Sequence, residues 1–212
     1  PLGSVRAAVM TALRLMINPD TPRNGGAWRP VNLTVPEGTL FNPVLPAPVA
    51  SRGGTAQRAA DTLIGCQVAI RPKKMMACSS GQDTLVNIAG YDRNGDLFIL
   101  METLFGGWGG RLSSDGNEIC SPPITNNSMI PIESNENVYP DIIYEQMALV
   151  PDTEGAGTHR GSMAVVREWR YVGDDEALVQ IRVDRRDFSP HGVEDGHPGA
   201  RLMATVFSTG HA

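Results

Sequence analysis

Thr84-Leu85-Val86-Asn87-Ile88-Ala89, then Tyr91-Asp92-Arg93-Asn94-Gly95-Asp96, then Leu97-Phe98-Ile99-Leu100-Met101-Glu102 is the stretch on which the fold of this chain turns. Two β-prone runs flank an Asn-Gly pair, and Asn-Gly supplies the positive φ that a tight hairpin needs. Helical patterns lie before this stretch and strand patterns after it. Helices followed by strands in hairpins indicate an α+β fold with a mainly antiparallel sheet. A doubly wound parallel sheet is disfavoured, because no helices alternate with the later strands.

Two helices are expected in the N-terminal half. Val5, Ala8, Val9, Ala12, Leu13 and Met16 recur at helical spacing until Asn18-Pro19. Ala56, Ala59, Ala60, Leu63, Ile64 and Val68 form the stripe of a second helix, capped at Thr55 and running to about Arg71 before Pro72. Arg58, Asp61 and Gln67 fall toward its polar side, and the small residues near its start allow close approach of another element. Residues 18–54 are a long proline- and glycine-rich wrap, with a short strand expected at 28–35. Beyond the hairpin, residues 142–150, 162–172 and 178–184 read as strands. The last has clean alternation: Val179, Ile181 and Val183 against Gln180, Arg182 and Asp184. Gly173-Asp174-Asp175-Glu176 is the turn expected to join the last two as a hairpin. Pro1-Leu2-Gly3-Ser4 reads as the scar of a cleaved expression tag, leaving residues 5–212 as one domain.

A net charge of -5 argues against non-specific nucleic-acid binding, and no segment approaches a membrane span. Sixteen of the 18 basic residues are arginine. Compositional bias explains this, or a use for bidentate anion contacts. Cys66, Cys78 and Cys120 form no CxxC pair, which fits reduced thiols in the cytosol.

Neither a phosphate loop G-x-x-x-x-G-K-[ST] nor a G-x-S-x-G elbow is present. Gly155-Ala156-Gly157-Thr158-His159-Arg160-Gly161 leads into a strand pattern and reads as a glycine turn. His191, Glu194, Asp195 and His197 share one loop and are metal ligands by type, but their spacing fixes no common face. Asp184-Arg185-Arg186-Asp187 is either a solvated strand end or an anion or carboxylate clamp. Gly106-Gly107-Trp108-Gly109-Gly110-Arg111 places four glycines around one tryptophan. Such backbone takes positive φ or passes close to something else, and its Trp either plugs the core or walls a cavity.

Several segments carry a family resemblance. They are Gly25-Gly26-Ala27-Trp28-Arg29-Pro30 with Val35-Pro36-Glu37-Gly38-Thr39; Phe41-Asn42-Pro43 with Pro46-Ala47-Pro48; Gly106-Gly107-Trp108-Gly109; Thr125-Asn126-Asn127 with Pro131-Ile132-Glu133; Arg160-Gly161-Ser162 leading to Val166-Arg167-Glu168; and Asp184-Arg185-Arg186 through Gly196-His197-Pro198-Gly199-Ala200. In this order they resemble the hydantoinase B/oxoprolinase family, which includes matching subunits of acetone and acetophenone carboxylases. Trp28, Ser162 and His197 depart from its commoner residues.

The resemblance implies the C-terminal portion of a longer subunit, with the family's metal motif in the other half and the ATP site largely on a partner. It implies an ATP-dependent amidohydrolase that opens cyclic amides, with hydantoin, 5-oxoproline or another lactam as substrate. Alternatives are a subunit portion of an ATP-dependent ketone carboxylase, or a non-catalytic assembly module. In the leading reading this chain shapes the substrate cavity and the subunit interface. Arg52, Trp108, Asn126, Asn127, Asp184 and Arg185 are the candidate substrate-binding residues, and no catalytic residue or metal ligand is assigned. The expected setting is a cytoplasmic hetero-oligomer. Its partners would be a hydantoinase A-type ATP-binding subunit and the N-terminal half of the same subunit, with ATP and a divalent metal in the full complex.

Overall fold

The computed structural model describes residues 2–18, 20–81, 84–125 and 129–207. The chain is α+β. Among these residues the helices are α1 (Leu2–Arg14), α2 (Gly25–Trp28), α3 (Arg52–Ile70) and α4 (Ile132–Val138), with a 3-10 turn at Pro72–Lys74. The strands are β1 (Thr84–Tyr91), β2 (Leu97–Leu104), β3 (Ile142–Val150), β4 (Ala164–Tyr171) and β5 (Leu178–Arg182). They form two antiparallel sheets, β2-β1-β5 and β3-β4.

The Asn-Gly hairpin forms as its sequence dictates. Gly95 takes φ +80°, and Asp92 Oδ1 accepts from the amides of Asn94 and Asp96, each at 2.9 Å. These hydrogen bonds, that from Asp96 first, hold the Asp92 carboxyl below its ordinary range. The last expected hairpin does not form. β4 pairs with β3, and β5 pairs with β1, placing Val179 opposite Ile88 and Ile181 opposite Val86. Apolar cross-strand partners on β1 outweigh the short turn between neighbours in sequence. The expected strand at 28–35 is likewise absent. In its place Asn24 Oδ1 caps the single turn of α2 through Gly26 N at 2.9 Å, and Pro30 and Pro36 break up the segment beyond it. α1 begins at Leu2, inside the four residues set apart above, and α3 begins at Arg52, ahead of Thr55.

Two cores result. On the helical side the small stripe of α3 meets α1: Ala56 and Ala60 pack with Ala8, and Ile64 packs with Ala12, Met75 and Met76. On the sheet side Val86, Ile88, Leu100 and Ile142 are buried together, with Phe98, Tyr144, Trp169 and Tyr171 packed around them. Inside this second core lies an ion pair, Glu102 of β2 with Arg167 of β4, each side chain 1% exposed. Glu102 also accepts from Trp169 Nε1 at 2.9 Å and Tyr144 OH at 3.2 Å. The Arg167 guanidinium lies 4.7 Å from the centre of the Tyr144 ring. Burial, and then the Glu102 charge, push the Tyr144 phenol up. The pair joins the two sheets at a point where strand alternation sends a carboxylate inward.

Removing one partner leaves a buried charge unanswered. We expect Glu102→Ala to lower unfolding free energy by about 3–5 kcal/mol, read from urea denaturation. Glu102→Gln, which keeps acceptors for Trp169 and Tyr144, should lose less.

Candidate functional site

An open cleft of about 580 Å³ lies where α3 meets the segment after β5, lined by Arg58, Asp61, Thr62, Gly65, Cys66, Asp184, Arg185, Phe188 and His191. Its floor is a chain of alternating charges. Arg58 Nε donates to Asp184 Oδ2 at 2.8 Å, and Arg58 Nη1 to Asp61 Oδ2 at 3.0 Å. Arg185 Nη2 reaches Asp61 Oδ2 at 2.5 Å and Cys78 Sγ at 2.6 Å.

Asp61 is 3% exposed. Its other oxygen accepts from Ser79 Oγ at 2.9 Å and Ser79 N at 3.3 Å, and Cys78 Sγ donates to Oδ2 at 3.0 Å. Five donor groups on four residues therefore offset the cost of taking this carboxylate out of water. Arg185 reaches it from a left-handed backbone, φ +61°, a conformation that costs a non-glycine residue energy and persists only when its surroundings impose it.

Two ionisations are perturbed here. Burial, and then the Asp61 charge and its hydrogen bond, push the Cys78 thiol from 9.0 to about 12. At Asp184 burial acts upward but loses to the Arg58 hydrogen bonds, the Arg185 amide and the two guanidinium charges, so its carboxyl is held below its ordinary range.

The cleft is built by segments distant in sequence. Residues 75–80 run between the Gly-Trp stretch and the 190s loop. Ala77 N donates to Gly110 O at 2.9 Å, Ser80 N to Gly107 O at 2.9 Å, and Cys78 N to His191 O at 3.1 Å. The glycines are required here for proximity. A Cβ on Gly109 would stand 2.4 Å from the Ala77 carbonyl, one on Gly110 2.2 Å from His159 O, and one on Gly107 1.9 Å from Ser162 Oγ. Gly81 has both constraints, φ +93° and the Arg58 guanidinium 2.2 Å from where a Cβ would sit.

Of the residues singled out from sequence, Asp184 and Arg185 come together in the cleft. Arg52 is exposed at the first turn of α3. Trp108 packs against the helical core beside Ala12, Ile64, Met75 and Met76, with its Nε1 on Ser121 O at 2.8 Å. Neither lines the cleft. Asn126 and Asn127 lie outside the described residues. Arg58, Asp61, Cys78 and Ser79 were not singled out. The only local signal was an Arg and an Asp three apart on the side of α3 read as polar, a side on which Asp61 and Gln67 turn out buried. His191 reaches the cleft while His197 sits in the exposed loop beside Gly155. Among the described residues no group of three or more His, Cys, Asp or Glu could hold a metal ion. The cleft carboxylates are already engaged by arginines, so this donor set does not fit a divalent cation. No described helix is long and apolar enough to cross a membrane.

The family model described as hydantoinase B/oxoprolinase matches residues 1–210. The chain belongs to the hydantoinase B/oxoprolinase family. It is 30% identical over 203 residues to the B-type subunit of a D-/L-hydantoinase from a Pseudomonas species, covering 93% of this chain and 33% of that protein. It is 30% identical to 5-oxoprolinase 1 of Arabidopsis thaliana, covering 95% of this chain and 15% of that one. A nucleotide-free structure of acetone carboxylase superposes with a TM-score of 0.68 at 14% identity, over 92% of this chain and 27% of that one. This last likeness shows a shared fold. The chain thus spans about a third of the hydantoinase B-type subunit it matches, a smaller share than the half implied by the sequence resemblance.

The raised Cys78 thiol has a signed consequence. Its folded pKa of about 12 lies above the ordinary 9.0, so the stability linked to it is complete below about pH 9 and is lost as pH rises toward 12. Denaturation midpoints should fall over that window, and the fall should shrink in Cys78→Ala. At pH 8 a thiol reagent should modify the exposed Cys66 and leave Cys78 untouched.

Proposed function

We propose that this chain is a portion of a B-type subunit in an ATP-dependent enzyme of the hydantoinase/5-oxoprolinase type, which opens cyclic amides. The observation that carries the reading is the family match from residue 1 to residue 210. The names of the relatives, a B-type hydantoinase subunit and a 5-oxoprolinase, support it. In this proposal the amide oxygen is phosphorylated by ATP, water attacks the activated carbon, and phosphate leaves. ATP and the divalent metal sit on other parts of a cytoplasmic hetero-oligomer that includes a hydantoinase A-type subunit.

The contribution of this chain is a rigid polar wall. Arg58 and Arg185, held by Asp61 and Asp184, present fixed guanidinium groups to the cleft. Donors fixed in this way stabilise developing negative charge without reorganising. Trp108 and Arg52 serve the cavity or the interface in the assembled enzyme, together with the Asn126-Asn127 segment.

Incubating the intact complex with ATP, a divalent metal and hydantoin or 5-oxoproline should give ring opening coupled to ATP cleavage, with none from the isolated chain. Fixation of bicarbonate onto a ketone, without lactam hydrolysis, would establish the carboxylase alternative. Arg185→Ala in the complex should lower kcat/KM by about tenfold or more. Unchanged turnover with failed assembly would make the portion an assembly module.

A further inference from the structure

The accessible surface of this chain is 13500 Å². A folded monomer of its 22.8 kDa mass exposes about 9,600 Å². The excess, roughly 3,900 Å² on that scaling, is of the size that permanent interfaces bury.

Part of the excess has a definite place. The antiparallel register puts Val86, Ile88, Leu100 and Glu102 on the inner face of the sheet β2-β1-β5, where all four are buried. The alternate residues face outward. On β2 these are Leu97, Ile99 and Met101, exposed by 63%, 57% and 60%. They stand opposite Tyr91, Ala89 and Asn87 of β1. Leu178 of β5, 72% exposed, lies across from Ala89. A water-facing antiparallel sheet alternates apolar-in with polar-out. Here β2 is apolar on both faces, and the patch holds no charge until Arg182 at the far end of β5. The free edge of β2 is partly taken, because Tyr139 OH donates to Ile99 O at 3.1 Å. Cover is therefore expected over the face more than by strand addition at the edge.

We propose that this outer face is a docking surface for the remainder of a longer B-type subunit. The proposal rests on the family reading and not on any substrate. The relatives carry the matched region as 33% of one chain and 15% of another, so in each the region has a large covalent neighbour. Apolar side chains are also exposed on separate segments: Leu40 and Leu45 in the N-terminal wrap, Phe188 beside the cleft, Met203 and Phe207 near the end. A single two-fold contact covers one patch, whereas a longer chain can cover several. The second copy is therefore the weaker occupant.

Peroxide footprinting of the intact subunit tests this without mutation, since exposed methionine oxidises readily and covered methionine does not. Met101 should oxidise at least about tenfold more slowly in the folded intact subunit than in the same subunit unfolded in urea. A smaller difference overturns the proposal. So does protection that appears only on adding the A-type subunit, or only as subunit concentration rises. These outcomes would assign the face to a second protein or to a second copy. Protection without any lactam turnover would leave the docking surface standing and remove the proposed activity.

Discussion

The Asp61 carboxylate is the constraint on which the cleft depends. An ionised group cannot leave water unless donors replace its hydration, and here they come from three parts of the chain. Arg58 is one turn away on α3, Cys78 and Ser79 follow the helix, and Arg185 arrives from beyond β5. A single buried charge thereby fixes how the helical layer, the linking segment and the C-terminal portion meet. The strained backbone at Arg185 fits this account, because relaxing it would withdraw a guanidinium from a site that water does not reach.

Glu102 imposes the same logic on the sheets. Hydrophobic burial alone would tolerate sliding of β3-β4 over β2-β1-β5, since Val86, Ile88 and Leu100 offer similar surfaces. A carboxylate that must meet Arg167, Trp169 and Tyr144 at once accepts one arrangement. A buried ion pair contributes little net stability, so its effect here is on register more than on total free energy. The glycines from 106 to 110 act by a different route. They let the residues 75–80 backbone approach to hydrogen-bonding distance, which holds the cleft floor against a core that includes Trp108.

Local pattern carried the fold class. Helical spacing located α1 and α3, and Asn94-Gly95 located the first hairpin, because these features are decided by residues a few positions apart. Pairing of β5 was not legible, since its partner on β1 lies far earlier in the sequence and the intervening turn residues favoured a neighbour. Asp184 and Arg185 stood out as a dense charge cluster. Asp61 did not, because a helix-borne aspartate looks solvated until the tertiary fold brings its donors. The Gly-Trp stretch invited either positive φ or close approach, and close approach proved to be the cause. Family membership rested on short segments in a fixed order, which local chemistry could not interpret but comparison could.

The late arrival of β5 has a consequence for synthesis. During translation the β1-β2 hairpin emerges with β1 still lacking its second neighbour, and it waits for more than seventy further residues before Leu178–Arg182 is made. Through that interval an apolar strand edge stands open beside the outward row of Leu97, Ile99 and Met101. Such surfaces are where nascent chains aggregate. The nascent protein therefore depends on timely elongation or on a chaperone at this point, and codon changes that stall ribosomes between β2 and β5 would lower yield without altering any contact in the finished fold.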